Sequence, residues 1–205
     1  MRPSFLSLIA VLLLVSGCGS SSKTAATSSP SGSAGGTLAS EGGGALAADA
    51  KSAATGDVPD TQNFLTWSAA RLRVSMVYPE GWAIRETASG ASITDKNNLV
   101  RVTLARGAAP TVASAQATLA TLTHSTPGLT ARPPQAISLK SGPAVKATYT
   151  TRSAPNPVTG KQVTLTVDRY VLGHAGRVAI VDLGTPIGVD NVDAYKRMIE
   201  SFQWR

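Results

Sequence analysis

Few side chains in this 205-residue chain are of the kinds that make and break bonds, and they are sparsely spaced. There is one cysteine, Cys18, and there are two histidines, His124 and His174. A single thiol can be acylated or oxidised, but it cannot build a disulfide framework or a cysteine-cluster metal site. A histidine-based metal centre needs several ligands at workable spacing. His124 is expected past a helix end and His174 in a hairpin between Gly173 and Gly176, so both read as solvated loop residues. No GxGxxG follows a strand, and GxxxxGK(S/T), HExxH and GxSxG are missing. A Ser/His/Asp triad needs no proximity in sequence, so the many serines and aspartates say nothing about one. The expectation is no catalytic residue, no metal and no cofactor.

Two charged residues stand where apolar ones are due. In Val163, Leu165, Val167, Arg169, Val171 the arginine falls on the apolar face, and in Val178, Ile180, Asp182 the aspartate does the same. If Ala175-Gly176 is a two-residue hairpin turn, paired residue numbers sum to a constant and Arg169 faces Asp182. The functional reading is a ligand-binding polar spot. The structural reading is an ion pair in the core or at a strand end, and it is favoured because buried charges are mostly paired.

The elements that position these residues fall into three segments. Residues 1–18 open with Arg2 and continue in an apolar run from Phe5 to Val15. That run is shorter than the roughly 20 residues of a membrane span but has the length of a signal-peptide core. It ends in Val15-Ser16-Gly17-Cys18, which resembles the bacterial lipobox, with Val where Leu is usual. The resemblance implies a diacylglycerol on the Cys18 thiol and cleavage that leaves Cys18 as the mature N-terminus. Each buried acyl CH₂ contributes about 0.8 kcal/mol, so several chains on one residue hold a domain firmly at a bilayer.

Residues 19–60 form the second segment. Of these 42 residues, 31 are Gly, Ser, Ala or Thr and none is aromatic. Such a composition has too little apolar surface to offset backbone ordering, so a disordered tether is expected. Its span would be roughly 35–40 Å.

Residues 61–205 hold all three Trp and all four Tyr, and 16 basic residues against eight acidic ones. A segment of this length can bury one proper core. Leu72, Val74, Met76 and Tyr78 alternate with polar residues, which predicts a strand. Further strands are expected at 82–86, 91–94, 99–105, 135–139, 144–151, 162–172 and 177–183. Val112, Ala115, Leu119 and Leu122 follow helical spacing behind a Thr111 cap, and Thr126-Pro127-Gly128 stops that helix. A last helix carries Val192, Tyr195, Ile199 and Phe202 on its apolar face, with Asp190 and Asp193 in the pattern of a capping box. The expected class is α+β: an antiparallel sheet of about six to seven strands covered by helices.

Val77-Tyr78-Pro79-Glu80-Gly81-Trp82 resembles the strand, Tyr-Pro-x-x-Trp, strand opening of the PsbP-like fold. Asp193-Ala194-Tyr195 through Ile199-Glu200-Ser201-Phe202 resembles its closing helix. With the lipobox and the small-residue tether, the whole resembles the actinobacterial LpqN/LpqT type of lipoprotein. That resemblance implies a PsbP-like α/β/α sandwich on an extracytoplasmic, lipid-anchored protein. It implies no active-site residues.

The domain charge of +8 suits weak attraction to anionic membrane and wall surfaces. It does not suit nucleic acid, because Arg71, Arg73, Arg101, Arg106, Arg132 and Arg152 are not interleaved with stacking aromatics. Three functions are open at this point. The first is a non-catalytic binding or accessory module that contacts an envelope protein or assembly. The second is a carrier or receptor for a small or lipidic ligand held between sheet and helices. An envelope hydrolase ranks last.

Overall fold

Period-two alternation drives most of the globular segment into antiparallel strands. The structure is a computed structural model that describes residues 51, 55–156 and 158–205. Cys18, the apolar leader and most of the expected tether lie outside the described residues.

The elements run β1 (Phe64–Ala69), a 3-10 turn (Ala70–Leu72), β2 (Val74–Pro79), β3 (Ala83–Thr87), β4 (Gly90–Asp95) and β5 (Asn98–Arg106). Helix α1 (Val112–Ser125) follows, then β6 (Thr130–Ala131), β7 (Gln135–Leu139), β8 (Gly142–Arg152), β9 (Thr164–His174) and β10 (Arg177–Pro186). Helix α2 (Val192–Glu200) and β11 (Gln203–Trp204) close the chain. The class is α+β. The main sheet has eight strands, in the order β3-β4-β5-β10-β9-β8-β6 with β7 also on β8, rather than the six or seven expected. A separate three-stranded sheet has the order β1-β2-β11.

The β9–β10 hairpin sets the register at the centre of the main sheet. Ala175 and Gly176 take φ values of 47° and 72°, the left-handed pair that a tight hairpin turn requires. His174 therefore faces Arg177, and every later pair follows in step. On one face of β10, Ala179, Val181 and Leu183 are buried with Val100, Val102, Leu172 and, from α2, Tyr195, Met198 and Ile199. On the other face, Leu165, Val167, Ala147 and Tyr149 share a smaller cluster with Leu129 and, from α1, Leu119. Each large buried aliphatic contributes about 1.5–3 kcal/mol, so these two clusters dominate the domain's stability.

Several local expectations need correction. Leu72 belongs to the 3-10 turn, and β2 starts two residues later because Arg73 adopts a left-handed φ of 52°. His124 lies in the last turn of α1, not beyond it, because the helix runs on to a Thr126 C-cap. Thr111 does cap α1, in a reciprocal box with Ser114. At α2 the N-cap is Asn191, whose own side chain makes no cap bond because its Oδ1 accepts from the Val58 N–H; Asp190 Oδ1, one residue earlier, accepts from the Val192 N–H at 3.2 Å. Val192 is 73% exposed, and Met198 takes its place on the apolar face.

Candidate functional site

Cross-strand register converts the two misplaced charges into a continuous polar row. Arg85 on β3 pairs with Ser92 on β4, Ser92 with Arg101 on β5, Arg101 with Asp182 on β10, and Asp182 with Arg169 on β9. All five side chains lie on the same face, since directly opposed residues project to one side. On β10 the opposite face, Ala179, Val181 and Leu183, is apolar and buried, so there this row breaks the pattern.

Arg169 and Asp182 meet as a bidentate pair. Arg169 Nε donates to Asp182 Oδ1 at 2.6 Å and Nη2 donates to Oδ2 at 2.8 Å. The side chains are 13% and 3% exposed. Burial alone would lower the Arg169 pKa, but the hydrogen bonds and charge of Asp182 outweigh it and hold it above the ordinary value. The guanidinium also lies 5.5 Å from the centre of the Tyr149 ring. Burial pushes the Tyr149 phenol up and Asp182 adds to this, while Arg169 and Arg101 pull the other way.

This pair forms part of the floor of a cleft of about 540 Å³. Leu122, Leu129, Leu165 and Val167 supply an apolar wall, and Lys96, Arg101 and Arg152 supply a cationic rim. Lys96 is close to Asp95, at 3.6 Å, whereas Arg101 and Arg152 form no ion pair among the described residues. Asp182 is the one acidic residue lining the cleft, so positive charge is in excess there. Such a surface can donate several charge-assisted hydrogen bonds to an anion or to acceptor groups of a protein. On the other sheet face a second cleft, of about 490 Å³, holds the Lys146–Asp168 pair at 2.8 Å and Tyr195. The Tyr195 hydroxyl donates to the Gly184 carbonyl at 2.7 Å, and burial holds it neutral well above its ordinary range.

The two histidines stay apart from this cleft. His124 is an exposed residue of α1, and His174 stacks on Trp204 with ring centres 5.6 Å apart. Among the described residues no group of three or more His, Cys, Asp or Glu could hold a metal ion. Residues that sequence reasoning missed are Arg101, Tyr149 and Arg152. Their signal is weak, because placing Arg101 beside Asp182 needs the β5–β10 pairing, which joins strands more than 70 residues apart.

Two residues of the expected tether, Gly56 and Val58, contact the globular part. The Val58 N–H donates to Asn191 Oδ1 at 2.8 Å, and Asn98 Nδ2 donates to the Gly56 carbonyl at 2.5 Å.

No protein-family model matches the chain. No curated protein matches it either. Among solved structures, the chain is similar to the cyanobacterial PsbP protein CyanoP from Synechocystis sp. PCC 6803. The TM-score is 0.52 at 15% identity, over 73% of this chain and 98% of that one. It also aligns with the Ran-binding protein Mog1p of Saccharomyces cerevisiae, with a TM-score of 0.48 at 10% identity over 70% of this chain and 96% of that one. At this identity the CyanoP likeness is one of fold: the domain is PsbP-like.

Proposed function

We propose that this protein is a non-catalytic binding module, held at the extracytoplasmic face of a cell membrane by lipid on Cys18, that contacts an envelope protein or assembly. The observation that carries the reading is the state of Asp182. It is the one carboxylate in the main cleft, and both its oxygens are occupied by Arg169. Asp182 is thus engaged in an ion pair with Arg169, while the surrounding guanidinium groups remain able to bind an anion or acceptor groups. The leader, the lipobox and the PsbP-like fold support the same picture. On this reading the protein is of the LpqN/LpqT type and its domain is a three-layer α/β/α sandwich, and the 19–60 tether acts as the leash between lipid and domain. PsbP proteins are accessory subunits, an analogy that supports the class of role alone.

A second reading is favoured by one feature. The Leu122, Leu129, Leu165 and Val167 wall beside a cationic rim suits a small amphiphile with an anionic head and an apolar body. A photo-cross-linking residue at Ser92 or Arg152, used in native membranes, separates the two. A discrete protein adduct supports the binding module, and adducts of lipid mass support the carrier. No adduct above that from a probe at Val158, which is 90% exposed and outside the cleft, overturns both. The anchor is tested separately: Cys18→Ala protein is expected in the soluble fraction, and its retention in the membrane pellet refutes lipid anchoring.

A further inference from the structure

At the end of the sheet that carries the β9–β10 turn, a concave surface of about 520 Å³ is lined by Arg71, Arg73, Arg106 and Arg177, and none of its lining residues is acidic. We propose that this arginine-lined hollow is a binding site for a ligand carrying two or more phosphate groups. It is separate from the Arg169–Asp182 cleft, and the proposal does not depend on what that cleft binds.

Three observations carry it. First, no carboxylate side chain among the described residues pairs with these arginines. The ion pairs among the described residues are Lys96–Asp95, Lys146–Asp168 and Arg169–Asp182, and none lies at this end. An ordinary solvated face intersperses both signs.

Second, the arrangement runs against stability. Arg106 and Arg177 are direct cross-strand partners, a like-charge juxtaposition that weakens a ladder. Arg73 occupies a left-handed φ of 52°, where glycine would be less strained. No hydrogen bond among the described residues requires a cation at Arg106, whereas an anion seated beside Arg106 and Arg177 would relieve their repulsion.

Third, most of the guanidinium groups are already held in place. Arg71 Nη2 donates to the Thr87 and Ala88 carbonyls at 3.2 and 2.9 Å. Arg73 Nε donates to the Arg205 carbonyl at 3.0 Å. Arg177 Nη2 donates to the Leu72 carbonyl, and its guanidinium lies 5.0 Å from the centre of the Trp204 ring. Each keeps further N–H groups free, and pinning the side chains reduces the entropy lost on binding. The planar guanidinium fork matches phosphate oxygens in pairs, and four forks around one hollow exceed what a single carboxylate needs. The hollow also lacks an exposed large hydrophobic side chain, so recognition rests on charge and hydrogen bonds rather than insertion.

The test uses the full chain carrying Cys18→Ala, so that no lipid anchor contributes. Inorganic pyrophosphate is titrated calorimetrically at low salt against this protein, Arg106→Gln, Arg106→Lys and, as a charge-matched control, Arg132→Gln. Arg106 makes no hydrogen bond among those that pin the other three arginines, and its removal relieves the repulsion on Arg177. Arg106→Gln is therefore expected to melt no lower than its parent while binding pyrophosphate at least tenfold more weakly. Arg106→Lys is expected to recover part of the loss, and Arg132→Gln to bind within twofold of the parent. Absence of binding overturns the proposal, as does an equal loss in Arg106→Gln and Arg132→Gln. A second arm identifies the source of the phosphate. Cosedimentation with phosphatidylglycerol vesicles but not phosphatidylcholine vesicles, lost in Arg106→Gln, supports the site with lipid headgroups as its ligand. Pyrophosphate binding without cosedimentation supports the site with a soluble or polymeric phosphate. The Ser92 cross-link is expected to be unchanged in Arg106→Gln, so failure here and failure of the main cleft are read independently.

Discussion

Replacing Arg169 or Asp182 tests whether the central polar row is held by mutual pairing. Asp182 is 3% exposed and Arg169 13%, so removal of either partner strands a charge in a site shielded from water. Loss of one member of a buried pair costs about 3–5 kcal/mol. For a domain of this size 1 kcal/mol moves Tm by roughly 3–4 °C, which gives a drop of about 9–20 °C for either Arg169→Met or Asp182→Leu. Arg101, the other cross-strand neighbour of Asp182, can turn toward an orphaned carboxylate and puts Arg169→Met at the lower end. The double variant Arg169→Met/Asp182→Leu leaves no stranded charge and packs two side chains of suitable volume. It is expected within about 1 kcal/mol of the parent, or above it. Urea denaturation of the four proteins at pH 7 completes the cycle, with an expected coupling of at least about 2 kcal/mol. Additive losses in the double variant refute the reasoning.

Other perturbations have equally definite outcomes. Burial raises the pKa of Tyr149, Tyr170 and Tyr195, so the folded state keeps protons that the unfolded chain releases above about pH 10, and stability is expected to fall from there by up to about 1.4 kcal/mol per pH unit per tyrosine. Burial pulls Lys146 down but its hydrogen bond and attraction to Asp168 raise it overall, so its contribution is lost in the same alkaline window; urea titrations between pH 8 and 11 read the sum, and a flat profile is the contrary result. In Gly90→Ala the new Cβ would sit 1.8 Å from the Val102 carbonyl oxygen, so β4 and β5 must separate, with an expected loss of about 3 kcal/mol or more in denaturant unfolding. Thr111→Ala removes the acceptor of the Ser114 N–H, at 3.0 Å, and is expected to cost about 1 kcal/mol in a thermal melt.

What could be read from the chain alone depended on how local each determinant is. The β9–β10 hairpin is legible because Ala175-Gly176 imposes a two-residue turn, and the turn imposes the register that sets Arg169 against Asp182. Helix α1 is legible from its cap and its apolar spacing, although its C-terminus is not sharply marked and His124 falls inside it. Strand β1 was missed, since its pattern of one half-buried, two exposed and then alternating buried residues begins with polar and loop-like neighbours. Two-residue strands such as β6 and β11 carry no period at all. Val192 misled because its spacing fits the apolar face of α2, yet it stands 73% exposed in the first turn. The arginine-lined hollow was legible as charge but not as a place. Arg71 and Arg73 come from the start of the domain, Arg106 from the end of β5 and Arg177 from the start of β10, and only the tertiary fold gathers them.

The energetics of the central row argue for recognition over scaffolding. Strand β10 is hydrogen-bonded on both sides, and its Ala179, Val181 and Leu183 face is wholly buried. A leucine at 182 opposite a methionine at 169 would extend the smaller cluster of Ala147, Leu165 and Val167 at little or no cost in stability. If the double variant keeps the parent's stability, the ion pair is not what holds the sheet together, and its use would be a fixed guanidinium beside Arg101 in the open cleft. If that is its use, the Arg169→Met/Asp182→Leu protein should melt with the parent and yet yield less of the in-membrane cross-link from Ser92, by at least about threefold, a loss that a purely structural pair would not produce. A double variant that melts with the parent and cross-links at full yield would leave the row as packing and move the search for the partner surface elsewhere on the domain.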